Sequence, residues 1–349
     1  MKRILGIAMM LGLLGAVTLI AGCSKENAPQ AKEETPTQKT EKSREHAVQD
    51  AVDFSDNVST ITLKKGLEKK ELEMVLVPAG KFKMGFSNND LENFKMERQK
   101  EFKKEKKAAP VLPARKDFKS TDLIIDVKDI KKEIVKEDFD EVDSIFILKG
   151  KQHEVTITKP FYIGKYEVTQ EQWETVMGNN PSKIEGAKLP VTNVSWEDCQ
   201  DFIKKLNSKT DGGYRLPTEA EFEYACRAGT TTYYSFGDKF THKDANYYDL
   251  EIDKQIGKPV SVGSYKANAF GLFDMHGNVW EWCEDWVGDY LSESITDPKG
   301  PATGEYRVLR GGAFFDIGNY NSHSLRNRWA GNLPTTKASG NGFRLVKTK

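Results

Sequence analysis

Three short amphipathic helices are signalled between Thr169 and Cys226, and beyond Gly229 the chain turns loop-rich, with many Gly, Asn and Tyr residues and only short strands. Each helix start carries a capping box. Thr169 with Gln172 opens a helix bearing Trp173, Val176 and Met177. Ser195 with Asp198 opens one bearing Cys199, Phe202, Ile203 and Leu206. Thr218 with Glu221 opens one bearing Phe222, Ala225 and Cys226. The capping oxygens satisfy amides that a helix start would otherwise leave orphaned, and the spacing puts the apolar residues on one face. No internal repeat is visible.

Upstream, residues 73–77 and 81–85 read as two strands joined by a Pro-Ala-Gly turn, and residues 154–158 and 161–168 as two more. Between them, residues 87–150 are dense in Lys, Glu and Asp and read as a solvated surface insertion, with a docking arm for a partner as the alternative. Residues 23–70 are polar with few aromatics, and read as a disordered tether, since such a segment buries too little apolar surface to offset its ordering entropy. An ordered domain is therefore expected over 71–349.

The N-terminus points to a compartment. Lys2 and Arg3 precede an apolar run from Ile4 to Ile20 that ends in Ala21-Gly22-Cys23, the pattern of a secretory signal over 1–22, with an uncleaved N-terminal membrane helix as the alternative. The ending resembles a bacterial lipobox. That resemblance implies cleavage before Cys23, acylation of that cysteine and membrane attachment through its lipid; Ser24, not Asp, follows it. The expected location is the bacterial cell envelope, at the outer membrane or cell surface. Cys199, Cys226 and Cys283 remain, all among apolar neighbours, and read as buried free thiols, a Cys226–Cys283 bridge being the alternative. Formal net charge is zero, so no basic bias points to nucleic acid.

Six motifs occur in a specific order: YIGKYEVT at 162–169, PVTNVSW at 190–196, RLPTEAEFEYA at 215–225, NAFGLFDMHGNVWEW at 268–282, RGG at 310–312 and GFR at 342–344. Together they resemble the sulfatase-modifying-factor family, whose founding activity is formylglycine generation. The resemblance implies a single α+β domain of the formylglycine-generating-enzyme type, C-type-lectin-like, loop-rich and with little regular structure.

It also implies a site. The family enzyme oxidises a substrate cysteine with Cu(I) held between two thiolates that follow the Gly-Gly of the RGG motif, a soft-metal choice of ligand. The corresponding positions here are Asp316 and Asn321, and no cysteine lies beyond Cys283. Neither side chain is a soft ligand or redox nucleophile, so copper is not expected. The five histidines, His46, His153, His242, His276 and His323, have no ligand spacing for iron. Calcium is expected, because the loop from Asp274 to Glu281 resembles a family calcium site with Asp274 and Glu281 side chains and Gly277 and Val279 carbonyls as ligands, the alternative being that Asp274 and Glu281 only anchor the loop by hydrogen bonds. A second family calcium site begins at a pair resembling Ala245-Asn246, which adds Asn246.

Residues 313–328 (AFFDIGNYNSHSLRNR) occupy the family's substrate-groove region and contain no Lys, Glu, Gln, Met or Trp. That inventory resembles the variable regions of retroelement-diversified, lectin-like surface proteins. Phe314, Phe315, Asp316, Tyr320, Asn321, His323 and Trp329 form the expected contact patch for a protein or carbohydrate ligand. Trp280, Trp282 and Trp286 read as aromatic core, and Arg307, Arg310, Arg326, Arg328 and Arg344 as loop pins. Three functions compete: a displayed, non-catalytic binding module; an oxidase or other metal-dependent enzyme of the same family; and a structural envelope component.

Overall fold

The structure is a computed structural model, and it describes residues 58–65, 68–87, 152–238, 241–248, 256–290, 293–316 and 329–349. The signal segment, Cys23 and His46, all of the insertion but Ser87, and Tyr320, Asn321, His323, Arg326 and Arg328 lie outside those residues. Residues 58–71, Trp329 and Ala330 are described by their backbone alone.

Among the described residues the helices are α1 (Gln170–Met177), α2 (Trp196–Lys209) and α3 (Glu219–Arg227), and each begins at its expected capping box. In the second box Asp198 is long enough to accept from the Ser195 amide at 2.8 Å. Each cap contributes about 1 kcal/mol, which matters for α1, only 8 residues long. It ends on Gly178, whose φ of 89° is the left-handed conformation that suits glycine.

Strand structure starts earlier than expected. β1 (Val58–Lys65) pairs antiparallel with β2 (Glu68–Val77), Lys65 opposite Glu68 and Val58 opposite Val75. The tether therefore does not reach residue 70. Its final residues, Thr60-Ile61-Thr62-Leu63, are β-branched and apolar, a local signal lost when composition is averaged over the whole segment. Pro78 and Ala79 lead into β3 (Gly80–Met84), but β2 and β3 enter different sheets and make no hairpin. β4 (His153–Ile157) pairs with β3. β5 (Phe161–Gly164) is shorter than the expected 161–168, because the chain bends after Gly164: the Lys165 amide turns to the Glu73 carbonyl and the Val168 amide to that of Phe343.

The remaining strands are short: β6 (Tyr214–Arg215), β7 (Trp280–Trp286), β8 (Ile295–Thr296), β9 (Arg307–Arg310), β10 (Trp329–Asn332), β11 (Asn341–Gly342) and β12 (Val346–Thr348). Three sheets result, ordered β1-β2-β5-β12-β6, β10-β9-β7-β11 and β3-β4-β8. The apolar faces of α1 and α2 pack with β7 and the GFR motif, where Trp173 stacks on Phe202 at 5.2 Å and Phe343 meets both edge-on. A second cluster joins α3 to β2, β3, β4 and β5. Cys199, Cys226 and Cys283 are all buried and free, so the Cys226–Cys283 bridge is not formed.

Candidate functional site

The loop before β7 turns back on itself through three left-handed residues: Asp274 (φ 55°), Gly277 (φ 80°) and Asn278 (φ 63°). Gly277 is required twice over, since a Cβ there would stand 2.5 Å from the Asn246 carbonyl oxygen. Asn278 is the hub. Its amide nitrogen donates to Glu167 Oε2 at 2.9 Å, its Oδ1 accepts from the Val260 amide and from Asn246, and its backbone N–H donates to the Asn246 carbonyl. Asn246, expected to start a separate site, is thus packed onto this same loop.

Glu281 anchors the loop. Both its oxygens accept from Arg344, at 2.6 and 2.7 Å, and both side chains are fully buried. Arg344 also donates to the Gly164 and Phe273 carbonyls, which makes it the loop pin the sequence suggests. The available oxygens belong to other groups. Asp274 Oδ1, Asn246 Oδ1 and Glu167 Oε1 are buried without a hydrogen-bond partner. Burial, then Asp274 and Glu281, hold the Glu167 carboxyl well above its ordinary range. Burial also raises Asp274. Three buried acids thus face one buried arginine, and if all ionise, two negative charges remain unbalanced. Orphaned oxygens with such an excess fit a divalent, oxygen-seeking cation. No group of three or more His, Cys, Asp or Glu side chains among the described residues is arranged to hold a metal ion. A calcium site here would therefore depend on carbonyl and amide oxygens as well as the two acids.

Sequence reasoning missed Glu167. It sits inside YIGKYEVT, beyond the end of β5, and is 1% exposed.

The RGG motif and its continuation lie on this loop. The Gly277 amide donates to the Gly311 carbonyl, and the Phe314 amide to the Asn278 carbonyl at 3.0 Å. Arg310 is fixed by Glu223 at 2.6 Å, which also holds Arg227. Phe314 is buried, while Phe315 is 47% exposed and meets it edge-on at 5.0 Å. Asp316 is not a free side chain: its Oδ2 accepts from the Ala313 amide at 2.6 Å, and its carbonyl accepts from Tyr248. Burial pushes its carboxyl up to about 6. Of the expected contact patch, then, Phe314, Phe315 and Asp316 are seen to sit together next to the Asp274–Glu281 loop.

The three thiols are buried. Burial pushes Cys226 up to about 12 and raises Cys199 and Cys283 well above the ordinary thiol range. His276 accepts from the Ser235 amide and lies 3.4 Å from the Cys226 sulfur, inside a ring cluster with Tyr234 and Phe236. Trp280 and Trp282 are core. Trp286 is half-buried and sandwiches the Arg307 guanidinium against Trp196, at 3.5 and 3.8 Å.

Among the described residues, three short helices, three small sheets and long connecting loops define an α+β, C-type-lectin-like fold of the formylglycine-generating-enzyme type. The chain belongs to the family of the sulfatase-modifying factor enzyme 1-like domain, whose model matches residues 61–349. Chaperone protein LppX of Paenibacillus barcinonensis is 30% identical over 239 residues, 54% of this chain and 80% of that protein. The formylglycine-generating enzyme of Streptomyces coelicolor is 36% identical over 196 residues, 50% of this chain and 60% of that enzyme. Among solved structures, Treponema denticola variable protein 1 is 25% identical with a TM-score of 0.57, covering 83% of this chain and 99% of that one. PvdO from Pseudomonas aeruginosa shares the fold, with a TM-score of 0.55 at 23% identity and coverage of 83% and 98%.

Proposed function

We propose that this protein is a non-catalytic, ligand-binding member of its family, held at the bacterial cell surface by a lipid on Cys23, with residues 313–329 as its contact face. The observation that carries the reading is Asp316. It stands at the position of a family thiolate, and its carboxylate closes the turn on Ala313 rather than presenting a soft ligand. Asn321, at the second position, is no thiolate either. The described cysteines offer no substitute, being buried with raised pKa. The likeness to a protein named for its variability agrees with the residue inventory of 313–328, and favours a diversified ligand face.

Calcium is part of the proposal. Asp274, Glu167 and Asn246 would offer side-chain oxygens and Gly277 and Val279 carbonyls, while Glu281 would hold Arg344 and through it the loop. When bound, the ion would supply positive charge against the buried acids and rigidity under Phe314. The copper side is tested by competition with a Cu(I)-specific chromogenic chelator. Wild type is expected to withdraw no more Cu(I) than a variant with Cys199, Cys226 and Cys283 all changed to Ser. Tight Cu(I) withdrawal by wild type would count against the proposal.

A further inference from the structure

β3, β4, α3 and the loop that follows α3 enclose a cavity of about 560 Å³ that shares no residue with the contact patch. Among the described residues its wall carries three cations, Lys81, Lys83 and Arg227, and one carboxylate, Glu154. Arg227 is taken by Glu223, which holds it at 2.8 Å. The surplus falls on the lysines. They stand 3.6 and 3.8 Å from Glu154, beyond hydrogen-bond reach, and both are more than half exposed. One carboxylate thus faces two ammonium groups at the rim. Inside, three rings form one apolar surface: Phe82 meets Tyr224 at 5.3 Å, and Tyr224 meets Phe270 edge-on at 5.9 Å. Tyr224 is 7% exposed, and its hydroxyl makes no hydrogen bond to a described residue. That oxygen is not sealed in the core, so it is reached from the cavity that Tyr224 lines. It lies against Gly80, where a Cβ would overlap it, and so stands beside Lys81.

We infer that this cavity binds a phosphate monoester carried on an aromatic ring, with the phosphate at Lys81, Lys83 and the Tyr224 hydroxyl and the ring against Phe82, Tyr224 and Phe270. The two halves of the wall match the two halves of the ligand. Two ammonium groups and a hydroxyl are three donors, and a phosphate monoester offers three terminal acceptor oxygens and up to two negative charges. The ring buries its faces and edges against aromatic neighbours. A cation is the poorer fit, because it would meet the lysine surplus. A neutral apolar ligand would leave that surplus and the Tyr224 hydroxyl as they are. The same chemistry could come from a phosphotyrosyl side chain or from a free aryl phosphate.

Isothermal calorimetry of the full chain with phenyl phosphate and with acetyl-phosphotyrosine amide separates these sources. Saturable binding is expected, the tighter probe naming the source. Inorganic phosphate, which lacks the ring, should bind about tenfold more weakly than phenyl phosphate. The double variant Lys81→Met, Lys83→Met should lose about tenfold, and Lys337→Met, an exposed lysine paired with Asp198 elsewhere, should lose nothing. Glu154→Gln should bind more tightly, since it removes the acid that competes for the lysines. All these side chains are at least a third exposed, so the fold tolerates the changes. Magnetisation transfer from the probe's ring protons to the Thr230 and Thr231 methyl groups, which line the cavity, is expected in wild type and needs no variant. No saturable binding of either probe, undiminished binding by the double lysine variant, inorganic phosphate as tight as phenyl phosphate, or no transfer to the two threonines would each overturn the inference.

Discussion

The backbone carbonyl of Asn278 accepts from the amide of Phe314 at 3.0 Å, so the loop that gathers the buried acids also carries the first residues of the proposed contact face. Whatever orders the loop orders that face. Calcium should therefore raise the melting temperature of wild type and lose this effect with a chelator. At 100 times its dissociation constant it would add about 2.7 kcal/mol. Glu167→Gln and Asp274→Asn should each reduce the calcium-dependent shift. Differential scanning calorimetry with and without calcium checks this, and identical melting of wild type in both conditions removes calcium from the account.

Glu281→Ala should destabilise the fold by about 3–5 kcal/mol, because it strands a fully buried guanidinium. Chemical denaturation measures this. A loss below 1 kcal/mol, the range of surface pairs, would contradict the reading of Glu281 as the Arg344 anchor.

The pH dependence has a defined sign. The Asp285 carboxyl is raised in the folded state from 3.8 to about 8, so the folded protein holds a proton that the unfolded chain has released. Stability from this group is greatest below the unfolded value and falls as pH rises between the two. Asp285→Asn should flatten that fall and be more stable than wild type at pH 9. Thermal melts across pH 5–9 check it, and a variant as steeply pH-dependent as wild type would refute it.

Much of the scaffold was legible because its signals are local. The three capping boxes each span four residues, and each helix starts where its box does. The Asp274–Glu281 loop is contiguous and could be read whole. What escaped reading depends on partners far apart in sequence. Arg344 takes both oxygens of Glu281 across 63 positions, and Asn278 reaches Glu167 across 111. Neither pairing leaves a spacing to count. β1 escaped for another reason: its edge position lets it be mostly polar, so it blends with the tether composition.

Cys23 should carry the lipid. Metabolic labelling with a fatty-acid analogue is expected to tag wild type and leave Cys23→Ala untagged. Equal labelling of the two would remove the anchor from the proposal.

The central claim is that the chain does not perform its family's founding oxidation. Asp316 and Asn321 offer oxygen where Cu(I) needs sulfur, and Cys199, Cys226 and Cys283 are buried and raised in pKa. The measurement is mass spectrometry of a sulfatase-type cysteine peptide incubated with purified protein, copper, oxygen and a thiol reductant. The predicted result is an intact peptide thiol with aldehyde no higher than in a no-protein control. Copper-dependent conversion to the aldehyde above that control would contradict the account and establish the chain as an enzyme.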